Sequence, residues 1–115
     1  MERSFRFGSA ELGHIHSDGT LDIPFARGVR DVLLEENLAE EHGVPNSGWT
    51  TFRVRTEKDL KHALWLMRLS YLRYSLRSTE DPRRLFDDES ATLRLSAGLL
   101  SLIESFASLH ASSSD

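Results

Sequence analysis

Residues 47–77 read SGWTTFRVRTEKDLKHALWLMRLSYLRYSLR, and this stretch decides the fold. It holds a turn, a short alternating strand and a long apolar helix. In the strand, Phe52 and Val54 belong on a core face, which leaves Trp49, Arg53 and Arg55 on an open one. Thr56 is an N-cap, its hydroxyl accepting from an orphan amide of the first turn. Glu57 and Asp59 then oppose the positive end of the helix dipole. At helical spacing Leu60, Ala63, Leu64, Met67, Tyr71 and Tyr74 make one stripe, and Trp65, Leu69, Leu72 and Leu76 a second. A polar seam of Lys61, Arg68 and Ser75 runs between them. A helix apolar on two sides needs two dry partners, because uncovered apolar surface costs about 25 cal/mol per Å². One partner is a sheet; the other is a C-terminal helix or a second copy of the chain. A homodimer through the helical layer is therefore an expected assembly.

Upstream, Gly8-Ser9 and Asp18-Gly19 read as two-residue hairpin loops joining three short antiparallel strands. Taken literally, they pair Phe7 with Ala10, Phe5 with Leu12, His16 with Leu21 and His14 with Ile23. One face then collects Phe5, Phe7, Ala10, Leu12, His14, His16, Leu21 and Ile23, and is the core face. Arg6, Glu11, Ile15 and Asp22 share the other, with Arg6 opposite Glu11. Pro24 suits a helix start, and Phe25, Val29, Val32 and Leu33 predict a helix over about 26–37. Residues 39–44 add an irregular edge strand, and Pro45-Asn46-Ser47-Gly48 is turn chemistry.

Downstream, the polar residues 78–89 with Asp81-Pro82 read as a connector. Leu95, Leu99, Leu102, Ile103, Phe106 and Leu109 pattern a helix over 90–110, which packs on helix 57–77. Residues 111–115 form a disordered tail. The expected fold is thus α+β: an antiparallel sheet of about four strands in the order β-β-β-α-β-α, helices on one face, and a C-terminal helix. Residues 1–77 are its α+β domain.

Composition narrows the function classes. The 115 residues carry a net charge of −4, which argues against a dedicated nucleic-acid binder. Without cysteine there is neither a disulfide nor a Cys-zinc site. No run approaches the ~18 apolar residues of a membrane helix, and the N-terminus has no signal-peptide pattern. The expectation is a cytoplasmic protein with no membrane partner.

The run Glu11-Leu12-Gly13-His14-Ile15-His16, followed by Leu21-Asp22-Ile23-Pro24-Phe25, His42, Ser47-Gly48-Trp49, Arg53-Val54-Arg55 and Leu69-Ser70-Tyr71, resembles the small bacterial and fungal proteins called luciferase-domain or luciferase family proteins. The resemblance spans about residues 5–75 and implies no established reaction. Bacterial flavin luciferases use a (β/α)8 barrel of about 250 residues, which this chain is too short to build, and there is no Gly-rich phosphate loop. The strand-then-helix layout also has a more distant likeness to YjbR-type proteins with a CyaY-like fold, a likeness that carries no function.

Two constellations could carry chemistry. His14 and His16 lie two apart on a strand, about 7 Å from each other on one face, the spacing at which two imidazoles meet one metal. His42, Glu41 or Asp22 could complete such a set, although the register above puts Asp22 on the opposite face. The alternative is structural, with both rings capping the core. Separately, Trp49, Arg53 and Arg55 could stack on or pair with an anionic ligand, or Arg53 or Arg55 could simply pair with Glu11 or Asp22. Nucleophilic catalysis has no support in the sequence. The leading expectation is a noncatalytic binding or interaction module for an unidentified small ligand or protein partner, with no cofactor. The alternative is a small enzyme or metal-binding protein using the His14/His16 end of the sheet.

Overall fold

The computed structural model describes residues 3–8, 10–43 and 47–112, the side chains of 109–112 excepted. The fold is α+β, with five antiparallel strands and four helices among the described residues. In chain order the elements are β1 (Arg3–Phe7), β2 (Ala10–Ile15), β3 (Thr20–Pro24), α1 (Arg27–Glu35), β4 (Glu40–Glu41), β5 (Trp49–Arg53), α2 (Glu57–Ser78), α3 (Pro82–Leu93) and α4 (Ala97–Ser112). The strand order is β1-β2-β3-β5-β4. The chain divides into two compact units, Met1–Tyr71 and Leu72–Asp115. No helix among the described residues is long and apolar enough to cross a membrane.

In the first unit the sheet register departs from the two-residue-loop reading, and the cause is a single residue. The amide of His16 donates to the Thr20 carbonyl at 2.8 Å, and that of Gly19 to the His16 carbonyl at 3.0 Å. The β2–β3 loop is therefore three residues long, Ser17-Asp18-Gly19, closed by a glycine in the left-handed region at φ 88°. A side chain on Gly19 would meet the Val54 carbonyl oxygen at 2.8 Å, so only glycine fits. The extra residue pairs His14 with Asp22 and Ile15 with Leu21. Relative to β3 this slip turns His14, Ile15 and His16 to the faces opposite those expected, while Leu12, at the β1–β2 bulge, stays buried beside α2. The histidines thus join Asp22, and Ile15 joins Leu21 and Ile23 on the core face, the reverse of the expected assignment.

On β1 the pairs Phe7–Ala10 and Arg6–Glu11 follow the sequence reading, but a bulge then pairs Phe5 with Gly13. Ser9 lies outside the described residues, as do Val44, Pro45 and Asn46 of the edge strand and turn.

The core face meets α2. The Ser70 hydroxyl donates to the Leu12 carbonyl at 2.9 Å, and His62 Nε2 donates to the Leu38 carbonyl. Leu21, Ile23, Leu33, Ala63, Leu66 and Leu69 are buried. The buried stripe of α2 is therefore centred on Leu66 and Ser70, between the two stripes drawn from the sequence. Leu60 and Leu64 are 50% and 62% exposed. Phe5 faces the helix side but is 44% exposed, lining a groove of about 680 Å³ with Leu12, Leu64, Met67 and Tyr71. The capping of α2 is as read: Thr56 Oγ1 accepts from the Asp59 amide, and the Asp59 carboxylate accepts from the amides of Arg55 and Thr56.

In the second unit the segment read as a connector holds α3. Asp81 caps it, accepting from the Arg84 amide at 3.2 Å, with Pro82 as the first helical residue. Asp81-Pro82 marks a connector by composition; in the structure the same pair is an N-cap followed by a proline at N1. Pro82, Phe86 and Leu93 are buried, and Arg94 ends the helix in the left-handed region. The helix expected over 90–110 is thus split, α4 beginning only at Ala97. Among the described side chains of α4 the buried ones are Leu99, Ile103 and Ala107, four apart on one face, and Leu102 is partly exposed. Arg83 reaches Glu104 at 3.4 Å, joining α3 to α4. The helix continues to Ser112, and 113–115 lie outside the described residues.

Candidate metal centre

The face of the sheet opposite α2 carries a cluster of titratable side chains, all within the first unit. His14 stands on β2, His16 just after it, Asp22 at the middle of β3, and His42 just after β4. All three imidazoles present Nε2 to the same oxygen. His16 Nε2 is 2.8 Å, His14 Nε2 3.2 Å and His42 Nε2 3.8 Å from Asp22 Oδ2. The ligand atoms of His14, His16 and Asp22 all lie within 4.8 Å of one another.

Each carboxylate at the cluster accepts from a hydroxyl. The Thr51 hydroxyl donates to Asp22 Oδ1 at 2.9 Å, because the β3–β5 register sets Asp22 directly opposite Thr51. That leaves Oδ2 turned to the histidines. On β2, His14 Nδ1 lies 2.7 Å from Glu11 Oε1, which also accepts from the Ser4 hydroxyl at 3.2 Å. Trp49 closes one side, its ring 5.4 Å from His14 and 5.8 Å from His42.

The electrostatics follow from these contacts. Burial pushes the Asp22 carboxyl up, but hydrogen bonds from His16 and Thr51 and the charge of His42 outweigh it and hold the group below its usual range. Glu11 is likewise lowered, chiefly by its hydrogen bond with His14. With only 7% of its surface exposed, Asp22 is a carboxylate taken out of water, a state that requires partners on both oxygens.

The geometry therefore gathers His14, His16, His42 and Asp22 of the residues singled out in the sequence, with Trp49 beside them. Glu41 stays apart, on the β4 edge near Arg30 at 3.6 Å. Arg53 and Arg55 line a separate groove of about 350 Å³ with Asn37, Leu38 and Asp59. Neither arginine is the partner of Glu11 or Asp22 in these contacts, which the histidines make instead. Glu11 and Thr51 were missed as site residues. The signal for Thr51 lay in its strand position opposite Asp22; Glu11 was assigned to the solvated face, yet the bulge and the shifted register bring that face to the histidines.

Fold and site together define a small α+β protein with a histidine–carboxylate cluster on the open face of an antiparallel sheet. A family model described as "Luciferase domain" matches residues 9–70, more than half of the chain and all of the cluster. The protein belongs to the luciferase-domain family. No curated protein and no solved structure matches the chain.

Proposed function

We propose that the protein is a metal-binding module whose ion is held by His14, His16 and Asp22, with His42 as a further ligand. The observation that carries this reading is the convergence of three Nε2 atoms on one carboxylate oxygen. Two ligands each about 2.1 Å from a metal in tetrahedral array lie roughly 3.4 Å apart. The separations of His14 and His42 from Asp22 Oδ2, 3.2 and 3.8 Å, bracket that value. His16 at 2.8 Å sits at hydrogen-bond length and moves outward by about half an ångström on loading.

The donor set chooses the ion. Imidazole nitrogens with one carboxylate and no thiolate suit Zn²⁺, Cu²⁺, Ni²⁺, Co²⁺ or Fe²⁺, whereas Ca²⁺ and Mg²⁺ demand oxygen shells. The reading also accounts for a partly exposed cluster on a sheet face, where histidines serving only as core caps would turn toward α2.

Isothermal titration of tag-free, chelator-stripped protein with Zn²⁺ tests the proposal. One ion per chain is expected, with binding lost in both His14→Ala and His16→Ala while the circular dichroism spectrum is retained. No heat of binding in the wild type, or unfolding of both variants without any metal effect, contradicts it.

A further inference from the structure

His14 is bracketed by two carboxylates, with Glu11 Oε1 2.7 Å from Nδ1 and Asp22 Oδ2 3.2 Å from Nε2. A carboxylate only accepts hydrogen bonds, so the Glu11 contact places a proton on Nδ1. A neutral imidazole has one N–H, and with that proton on Nδ1 its Nε2 is a lone pair aimed at Asp22. Two electron-rich atoms do not face each other at 3.2 Å unless a cation lies with them, either a second proton or a metal ion. The outer nitrogen of His14 thus has a carboxylate partner, and that carboxylate is itself tied to Ser4 on the neighbouring strand.

We infer that Glu11 is a positioning residue for the metal centre. By fixing the Nδ1–H tautomer and the ring orientation of His14 it sets how tightly the ion is held. The inference rests on the metal-binding reading above and adds to it a residue that never touches the ion. The arrangement is the carboxylate–histidine–metal relay, and its sequence basis is a Glu and a His three apart on a bulged strand, which brings both to the same side. A regular strand would send residues three apart to opposite faces.

The test uses Co²⁺, followed by its visible absorbance against a competing chelator, on the tag-free full chain. Glu11→Ala is expected to weaken Co²⁺ binding by about 10–100-fold. Glu11→Gln, which keeps an acceptor but loses the charge, is expected to fall between that variant and the wild type. A structural role alone would not move the tautomer, so imidazole nitrogen NMR gives the second readout: His14 carries its proton on Nδ1 in the wild type and loses that preference in Glu11→Ala. Co²⁺ affinities of both variants within twofold of the wild type overturn the inference while leaving the metal site standing. If Glu11→Ala does not fold, the Glu11→Gln affinity alone decides by the same criterion. A wild type that takes up no Co²⁺ overturns the metal reading, and the role of Glu11 with it.

Discussion

A methyl group built on Gly48 would fall on the backbone carbonyl of Phe25, whose amide in turn donates to the Gly48 carbonyl at 2.8 Å. Backbone cannot yield as a flexible side chain can. Gly48→Ala is therefore expected to destabilise the protein by roughly 3 kcal/mol, read as a lowered midpoint in urea. A second prediction concerns acid. The Asp22 carboxyl is held below its ordinary value, so its stabilising contribution is complete above the unfolded-state pKa of about 3.9. It is lost as pH falls through the lower folded value. Melting temperatures measured from pH 6 down to pH 2 should drop more steeply below about pH 4 in the wild type than in Asp22→Asn. Equal slopes would show that Asp22 does not hold these contacts in solution. At this scale the local signals were legible: Thr56 caps α2 as read, with Asp59 in the first turn, because a cap depends only on neighbours in sequence. The partners of His14 were not legible, because they depend on a loop length that Asp-Gly leaves ambiguous between two residues and three.

Among the elements, α2 shows how period alone misplaces a stripe. Its apolar residues surround most of the helix, and at 100° per residue several stripes fit. Of the two stripes expected to be dry, Leu60, Leu64 and Tyr71 of the first are exposed, whereas Leu69, Leu72 and Leu76 of the second are buried as expected. The sheet selected Leu66 and Ser70, since a small hydroxyl can satisfy the Leu12 carbonyl at the bulged strand. Leu66→Ala should cost about 3 kcal/mol, and Leu64→Ala no more than roughly 0.5 kcal/mol. The reverse order in a denaturation series would restore the sequence stripe. For α3, Asp81→Ala removes the cap and should cost about 1 kcal/mol, measured as a shift in urea midpoint. The helix itself went unread because its face is broken by charges, with Arg83, Arg84, Asp87 and Asp88 around the buried Phe86.

Over the whole molecule, the α+β class and the antiparallel sheet with a helix on one face were legible, because strand alternation and helix periodicity are carried by separate stretches. Which face bears the histidines was not, and the functional reading turned on that one-residue shift. We further propose a homodimer through the helical layer, motivated by the exposed Leu60, Leu64 and Tyr71 on α2. Light scattering should then give twice the 13.1 kDa chain mass, reverting toward one chain mass in Leu60→Glu/Leu64→Glu. A single-chain mass for the wild type at high concentration would remove the dimer without touching the metal site. That site is tested most directly by anomalous diffraction from tag-free crystals grown with Zn²⁺. The account predicts one anomalous peak per chain on the open face of the sheet, about 2.0–2.2 Å from Nε2 of His14 and His16 and from an Asp22 oxygen. Crystals in which the ion lies elsewhere or is absent, with His16 still hydrogen-bonded to Asp22, would contradict it.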